Sequence, residues 1–153
     1  MSEVEKRLKE LGIELPKPSK PTAVYVPAVT TGNLVYTSGK DCKVNGEFLY
    51  TGKLGKDLTL EQGQEAARQT MINLLAVLKK HIGDLDRINR IVKVLGFVNS
   101  TPDFTDQPLV INGASELLEE VFGDRGKHAR SAIGTNVLPF DIPVEIEMIV
   151  EIK

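Results

Sequence analysis

The chain has 153 residues, which suits one domain able to bury a sizeable core without covalent staples. With 41% hydrophobic and 26% charged residues it is neither a disordered nor a fibrous chain, and no apolar run approaches a membrane span. Nineteen basic against 21 acidic side chains, net −2, give no general attraction to polyanions, and no basic stripe interleaved with aromatics marks a nucleic-acid surface.

A single cysteine, Cys42, cannot form an internal disulfide, and the opening MSEVEKRLKEL lacks the apolar core of a secretory signal. A cytoplasmic location is the expectation. His81 and His128 stand far apart and Cys42 has no partner at ligand spacing, so a metal site is not expected. No histidine is placed to activate Cys42, which reads as a loop or core thiol.

In chain order, Ser2 to Leu11 predicts a short helix with Ser2 as cap, Val4, Leu8 and Leu11 on one stripe, and Gly12 as its stop. The prolines at 16, 18 and 21 then predict an extended arm that lays this helix over the main domain, so residues 1–19 form an arm and 20–153 the domain. Ala23 to Val29 and Leu34 to Thr37 are β-rich and should pair through a Thr30–Asn33 turn. Ser38-Gly39-Lys40 closes the second strand, where amides and a lysine can meet an anion or simply make an exit turn. Asn45-Gly46 and the glycines at 52 and 55 predict loop, with room for a short strand between 46 and 51.

Thr59 and Gln62 predict a capping box for a helix whose stripe runs Leu60, Ala67, Met71, Leu74, Leu75, Leu78 and Ile82, ended by Gly83. Ile88 to Asn99 predicts a long strand bounded by Ser100-Thr101-Pro102. A second helix begins at Thr105 or Asp106, with Pro108 in its first turn, and ends at Gly123. Asn112 and Gly113 interrupt its apolar stripe, so either a neighbour packs closely there or Asn112 has a polar task.

The last stretch puts Arg130 at the head of one strand and Glu145 on the next, with Leu138-Pro139 as a turn between them. From Val144 the alternation is period two: Val144, Ile146, Met148, Val150 and Ile152 on one face, Glu145, Glu147 and Glu151 on the other. Ile149 stands among the acids, so this second face either meets a ligand or another subunit or is an ordinary half-exposed strand face, the latter being the more common case. Two opposite charges on paired strands would make a site. Ser131, with no base nearby, reads as an ordinary strand residue. Two helices cannot cover both faces of so large a sheet, so they should share one face and leave the other for self-association.

The pattern ARSAIG, then LP, then VEIEM, preceded by GNLVYTSG and by EQGQEAARQTMINL, resembles the RidA family, also called YjgF/YER057c/UK114. The resemblance implies an α+β, chorismate-mutase-like (YjgF-like) fold, a mixed β-sheet with two helices packed on one face, assembled as a homotrimer with sites between subunits. It implies hydrolysis of reactive enamines and imines of small amino acids to 2-keto acids and ammonia, without metal or cofactor. Arg130 then matches the arginine that grips the substrate carboxylate, and Glu145 the glutamate that orients water and passes protons, with its same-face neighbour Glu147 as the rival acid. Tyr25, Ser38, Gly39 and Asn112 match the family's substrate-binding positions.

Ala132, where the active branch commonly has cysteine, together with Pro27-Ala28, Lys40-Asp41-Cys42 and the long arm, marks a divergent branch. The alternatives are a non-catalytic trimer that holds small carboxylates, or the endoribonuclease and translation-inhibitor role attached to the family's older names. The acidic balance weighs against nucleic acid as a partner.

Overall fold

A computed structural model describes residues 2–21 and 23–153. Its helices are α1 (Glu3–Glu10), α2 (Leu60–Ile82) and α3 (Gln107–Phe122). Its strands are β1 (Ala28–Thr31), β2 (Leu34–Thr37), β3 (Lys43–Val44), β4 (Glu47–Phe48), β5 (Ile88–Asn99), β6 (Ala129–Thr135) and β7 (Val144–Ile152). The expected mixed sheet has the order β1-β2-β7-β5-β6, and β3-β4 form a separate small hairpin. No helix among the described residues is long and apolar enough to cross a membrane.

The helix ends form as the sequence dictates. Thr59 and Gln62 close a full capping box on α2, with Gln62 N donating to Thr59 Oγ1 at 3.2 Å and Thr59 N to Gln62 Oε1 at 2.9 Å. On α1, Glu5 N donates to Ser2 Oγ, and the carboxylate of Asp86 accepts from Glu3 N and Val4 N, both at 2.9 Å. Asp86 thereby fastens the N-terminus of α1 to the body while Val4 and Leu8 bury on the other side. Leu11, Ile13 and Leu15 of the arm pack against the same core.

Two of the expected strand features are corrected. The first strand does not begin at Ala23: residues 23–27 form exposed bends, and β1 opens only after Pro27, which has no amide to give a ladder. It continues instead to Thr31, so the β1-β2 hairpin turns on Gly32-Asn33 alone, with Gly32 at φ 59°. The loop after Cys42 carries two short strands joined by Asn45 (φ 53°) and Gly46 (φ 84°), the left-handed pair that a tight hairpin requires.

The second correction concerns β6 and β7, which are not paired. β5 lies between them, parallel to β6 and antiparallel to β7. The cause is α3: a helix joining two strands is a crossover connection, which sets β6 parallel beside β5 and leaves β7 the other edge of β5.

Both long helices pack on one face of the sheet. The core-facing set Val144, Ile146, Met148, Val150 and Ile152 is buried, as are Val35, Val94 and Val98 beside it. α2 and α3 approach closely at Gly113, where a Cβ would stand 2.2 Å from the carbonyl oxygen of Gln64. The opposite face has no layer of its own. Tyr36, Ile149 and Lys93 share one row across it, Glu147, Leu95 and Ser131 the next, and Glu145, Phe97 and Ile133 a third. Tyr36 and Ile133 keep 43% and 46% of their surface exposed, a large apolar exposure for a strand face.

Candidate functional site

Glu145 is half-buried on β7, on the face away from the helices. Its carboxylate lies against Gly39, where an added Cβ would stand 2.5 Å from Oε2 and 2.8 Å from Cδ. Only glycine admits the acid in that position. No hydrogen bond or ion pair engages this carboxylate among the described residues, and burial pushes its pKa above the ordinary range, with Glu147 and Asp41 adding charge repulsion in the same direction. An unpaired, half-buried carboxyl whose pKa is raised holds a proton more readily than an exposed one, which suits a group that accepts and returns a proton.

A cleft of about 630 Å3 opens over it, lined by Tyr25, Ser38, Gly39, Lys40, Phe140 and Glu145, among others. Glu147 does not line it, which favours Glu145 of the two candidate acids. Ser38 holds the neighbouring segment in place: its hydroxyl donates to the Val26 carbonyl at 2.7 Å and its amide to the Pro27 carbonyl at 2.9 Å, which brings Tyr25 to the cleft. The opposite wall is set by Asn99, fully buried at the end of β5. Its side-chain amide donates to Asp141 Oδ1 (2.9 Å) and the Ile142 carbonyl (3.1 Å), and its carbonyl oxygen accepts from Lys53 Nζ at 2.8 Å. Those bonds hold the Pro139–Asp141 turn, in which Phe140 (φ 59°) and Asp141 (φ 58°) take left-handed conformations and the Phe140 ring stacks on Phe48 at 6.0 Å. None of the Asn99 network was foreseen; its one sequence signal was a polar residue directly after the apolar run Val94–Val98.

Arg130 is elsewhere. It sits on the edge strand β6 with its guanidinium on the helix side, where Nη1 donates to Asn112 Oδ1 at 2.8 Å and to Ser115 Oγ at 3.2 Å, and Nη2 approaches the Pro108 carbonyl at 3.4 Å. Both unusual residues of α3 are thus explained, Gly113 by the close approach of α2 and Asn112 by Arg130. An arginine carries five N–H donors. Nη1 makes two of these bonds and Nη2 one long one, while Nε is not engaged among the described residues, so the Nε/Nη2 edge, one of the edges by which a guanidinium binds a carboxylate with two parallel bonds, is the less occupied one. Ser115 and His128, which complete this cluster, were not among the expected site residues; the i, i+3 spacing of Asn112 and Ser115 on α3 was the available signal.

The predicted residues therefore fall into two groups. Tyr25, Ser38, Gly39 and Glu145 meet in the cleft, while Arg130 and Asn112 meet at the other edge of the sheet. In register, Arg130 stands opposite Val94 and Glu145 opposite Phe97 of β5. Two strand spacings and three residues separate the two backbones by about 14 Å, and the side chains leave on opposite faces. One chain does not bring them together. Cys42 is buried with its thiol pKa raised by that burial, and it takes no part in either group. No cluster of three or more His, Cys, Asp or Glu side chains suited to a metal occurs among the described residues.

Residues 5–152 match the family model described as "YjgF/chorismate_mutase-like, putative endoribonuclease". The chain is 43% identical to protein TCP17 of Trypanosoma cruzi over 147 residues, covering 95% of this chain and 92% of that protein. It is 30% identical to a 2-iminobutanoate/2-iminopropanoate deaminase of Dermatophagoides farinae, over 92% of this chain and 95% of the deaminase. A crystal structure of an Agrobacterium tumefaciens protein of unknown function superposes with a TM-score of 0.93 at 46% identity, covering 99% of this chain and 93% of that one.

Proposed function

Because the chain belongs to the YjgF/chorismate mutase-like family, we propose that it is a homo-oligomer, a trimer by family habit, that hydrolyses imines of small 2-amino acids in clefts between its subunits. The observation that carries this is the split site: an Arg130 guanidinium edge with Nε unengaged and an unpaired acid at Glu145, which a second copy could bring together and one chain does not. The open apolar face supports the same assembly, because covering Tyr36, Phe97, Ile133 and Ile149 with another copy removes exposed hydrophobic surface from water.

In the reaction, Arg130 binds the substrate carboxylate in its fork and fixes the C=N group over Glu145 of the neighbouring subunit. Glu145 as carboxylate takes a proton from water while the water oxygen bonds to the imine carbon and the C=N π pair moves onto nitrogen. The protonated Glu145 then delivers that proton to the amine, the C–N bond breaks to release ammonia, and the hydroxyl proton passes back through the Glu145 carboxylate to the ammonia as the oxygen forms the keto C=O. An iminium and one water yield a 2-keto acid and ammonium, so the balance requires no redox partner. Fixing water, acid and electrophile together supplies the catalysis.

The test is complementation. Arg130→Ala and Glu145→Gln should each abolish keto-acid release from imines generated by an amino-acid oxidase, and co-refolded mixtures of the two should regain about a quarter of wild-type activity, since one pairing in four restores both groups. No recovery in assembled mixtures would refute sites shared between subunits. Carboxylate binding by the wild type with no imine turned over would make the protein a binder instead.

A further inference from the structure

The Arg130 cluster continues beyond the groups that touch the guanidinium. His128, on the residue pair leading into β6, has Nδ1 2.6 Å from the Gly126 carbonyl oxygen and Nε2 2.9 Å from Ser115 Oγ. A carbonyl only accepts, so Nδ1 carries the proton and Nε2 of the neutral ring presents a lone pair. The Ser115 hydroxyl must then donate to His128, which turns an oxygen lone pair toward Arg130 Nη1 at 3.2 Å. With that tautomer each bond in the series Gly126, His128, Ser115, Arg130 runs in one direction, and the order ends on the group proposed above to grip the substrate.

We propose that Ser115 and His128 are positioning residues that hold the Arg130 guanidinium in carboxylate-binding orientation, His128 acting through Ser115. This rests on the assignment of Arg130 as the carboxylate anchor. The need for such support follows from place: β6 is an edge strand, so Arg130 has a neighbouring strand on one side only, and a free arginine loses much rotamer freedom when a ligand immobilises it. Asn112 alone fixes one hydrogen of Nη1. Ser115 fixes the second, and with it the plane of the fork. The Ser115 oxygen serves only while its own hydrogen is directed away from Arg130, and that is what His128 secures.

The experiment measures binding of 2-oxobutanoate by calorimetry and imine turnover in the assembled protein. Ser115→Ala should weaken 2-oxobutanoate and raise KM about tenfold, the scale of one hydrogen bond to a charged group, with kcat within about twofold because ground state and transition state lose the same contact. Ser115→Thr, which keeps the hydroxyl, should restore most of the affinity. His128→Phe should lower affinity, His128→Gln should recover part of it through its carbonyl acceptor, and Ser115→Ala with His128→Phe should bind no worse than Ser115→Ala alone, since the two act in series. Should Ser115→Ala fail to assemble, the contrast between His128→Phe and His128→Gln decides the matter. Losses that multiply in the double variant, or a fall in kcat at constant KM, would overturn the proposal. A wild type that binds and turns over while the variants match it would overturn this proposal alone; a wild type that neither binds 2-oxobutanoate nor turns over imines would remove the site assignment and the proposal together.

Discussion

Gly39→Ala isolates the placement of the acid from its presence. The backbone there is not in the left-handed region, so alanine brings no strain of that kind, and the nearest obstacle is the Glu145 side chain, with Oε2 2.5 Å, Cδ 2.8 Å and Cγ 3.0 Å from the new Cβ. Ordinary contact begins at 3.4 Å, so Oε2 must retreat by the difference, about 0.9 Å. The atom that has to move is the far end of a flexible side chain, and replacing glycine by alanine removes unfolded-state freedom worth about 0.4–1 kcal/mol, so stability should hold or rise slightly. Catalysis is less forgiving. A misplacement of about 1 Å in a reacting group costs on the order of 100-fold, so kcat/KM for oxidase-generated imines should fall about that far while the thermal transition is retained. Activity within about threefold of wild type, with the fold intact, would refute the placement of Glu145 against Gly39 as a catalytic requirement.

Glu147→Gln removes one of two negative neighbours that add to burial in raising Glu145, so Glu145 ionises more easily and the acidic limb of kcat/KM, which reports its loss of a proton in the free enzyme, should move to lower pH with the plateau kept. A lost plateau would instead make Glu147 the working acid. Gly113→Ala sets a Cβ 2.2 Å from the backbone oxygen of Gln64, which can yield only if α2 and α3 part, and should cost about 1–3 kcal/mol, read as a lower denaturant midpoint at unchanged slope; a loss below about 0.5 kcal/mol would show that the helices slide freely.

The elements that local chemistry determines were legible. Thr59 with Gln62, Gly83, and the Ile88 to Asn99 run bounded by Ser100-Thr101-Pro102 mark their elements by hydrogen-bonding capacity, backbone freedom and composition, and each of these two elements lies within a residue of where those signals put it. The alternation in β7 also predicted its buried face in full. Pairing was not legible in the same way, because Arg130 and Glu145 lie on consecutive strands in sequence but not in space. The deciding feature was the crossover through α3, which the order strand-helix-strand does carry. Ala23–Pro27 was misjudged because its valines and tyrosine have strand propensity while Pro27 and the exposed bends before it do not sustain a ladder. Around the candidate site, Arg130, Glu145 and the misplaced-looking Asn112 stood out in the sequence, whereas Asn99, Ser115 and His128, which hydrogen-bond other groups there, did not.

That asymmetry follows from how the sheet is built. Its helix face holds Arg130 in a set of bonds from α3, and its open face holds Glu145 against a bare backbone at Gly39. β5 separates the two strands, so no rotamer change within one chain closes the gap of about 14 Å between backbones and across the sheet. The same β5 presents Leu95 and Phe97 on the open face, beside Ile133 and Ile149. The surface that a second copy would cover for hydrophobic reasons is therefore the one that carries the acid, and the edge that a second copy would approach is the one that carries the arginine. If the proposed assembly forms, it completes the site in the same event, and the burden of precision falls on whatever keeps each half-site in order before its partner arrives: Gly39 against Glu145 on one side, and Asn112, Ser115 and His128 about Arg130 on the other.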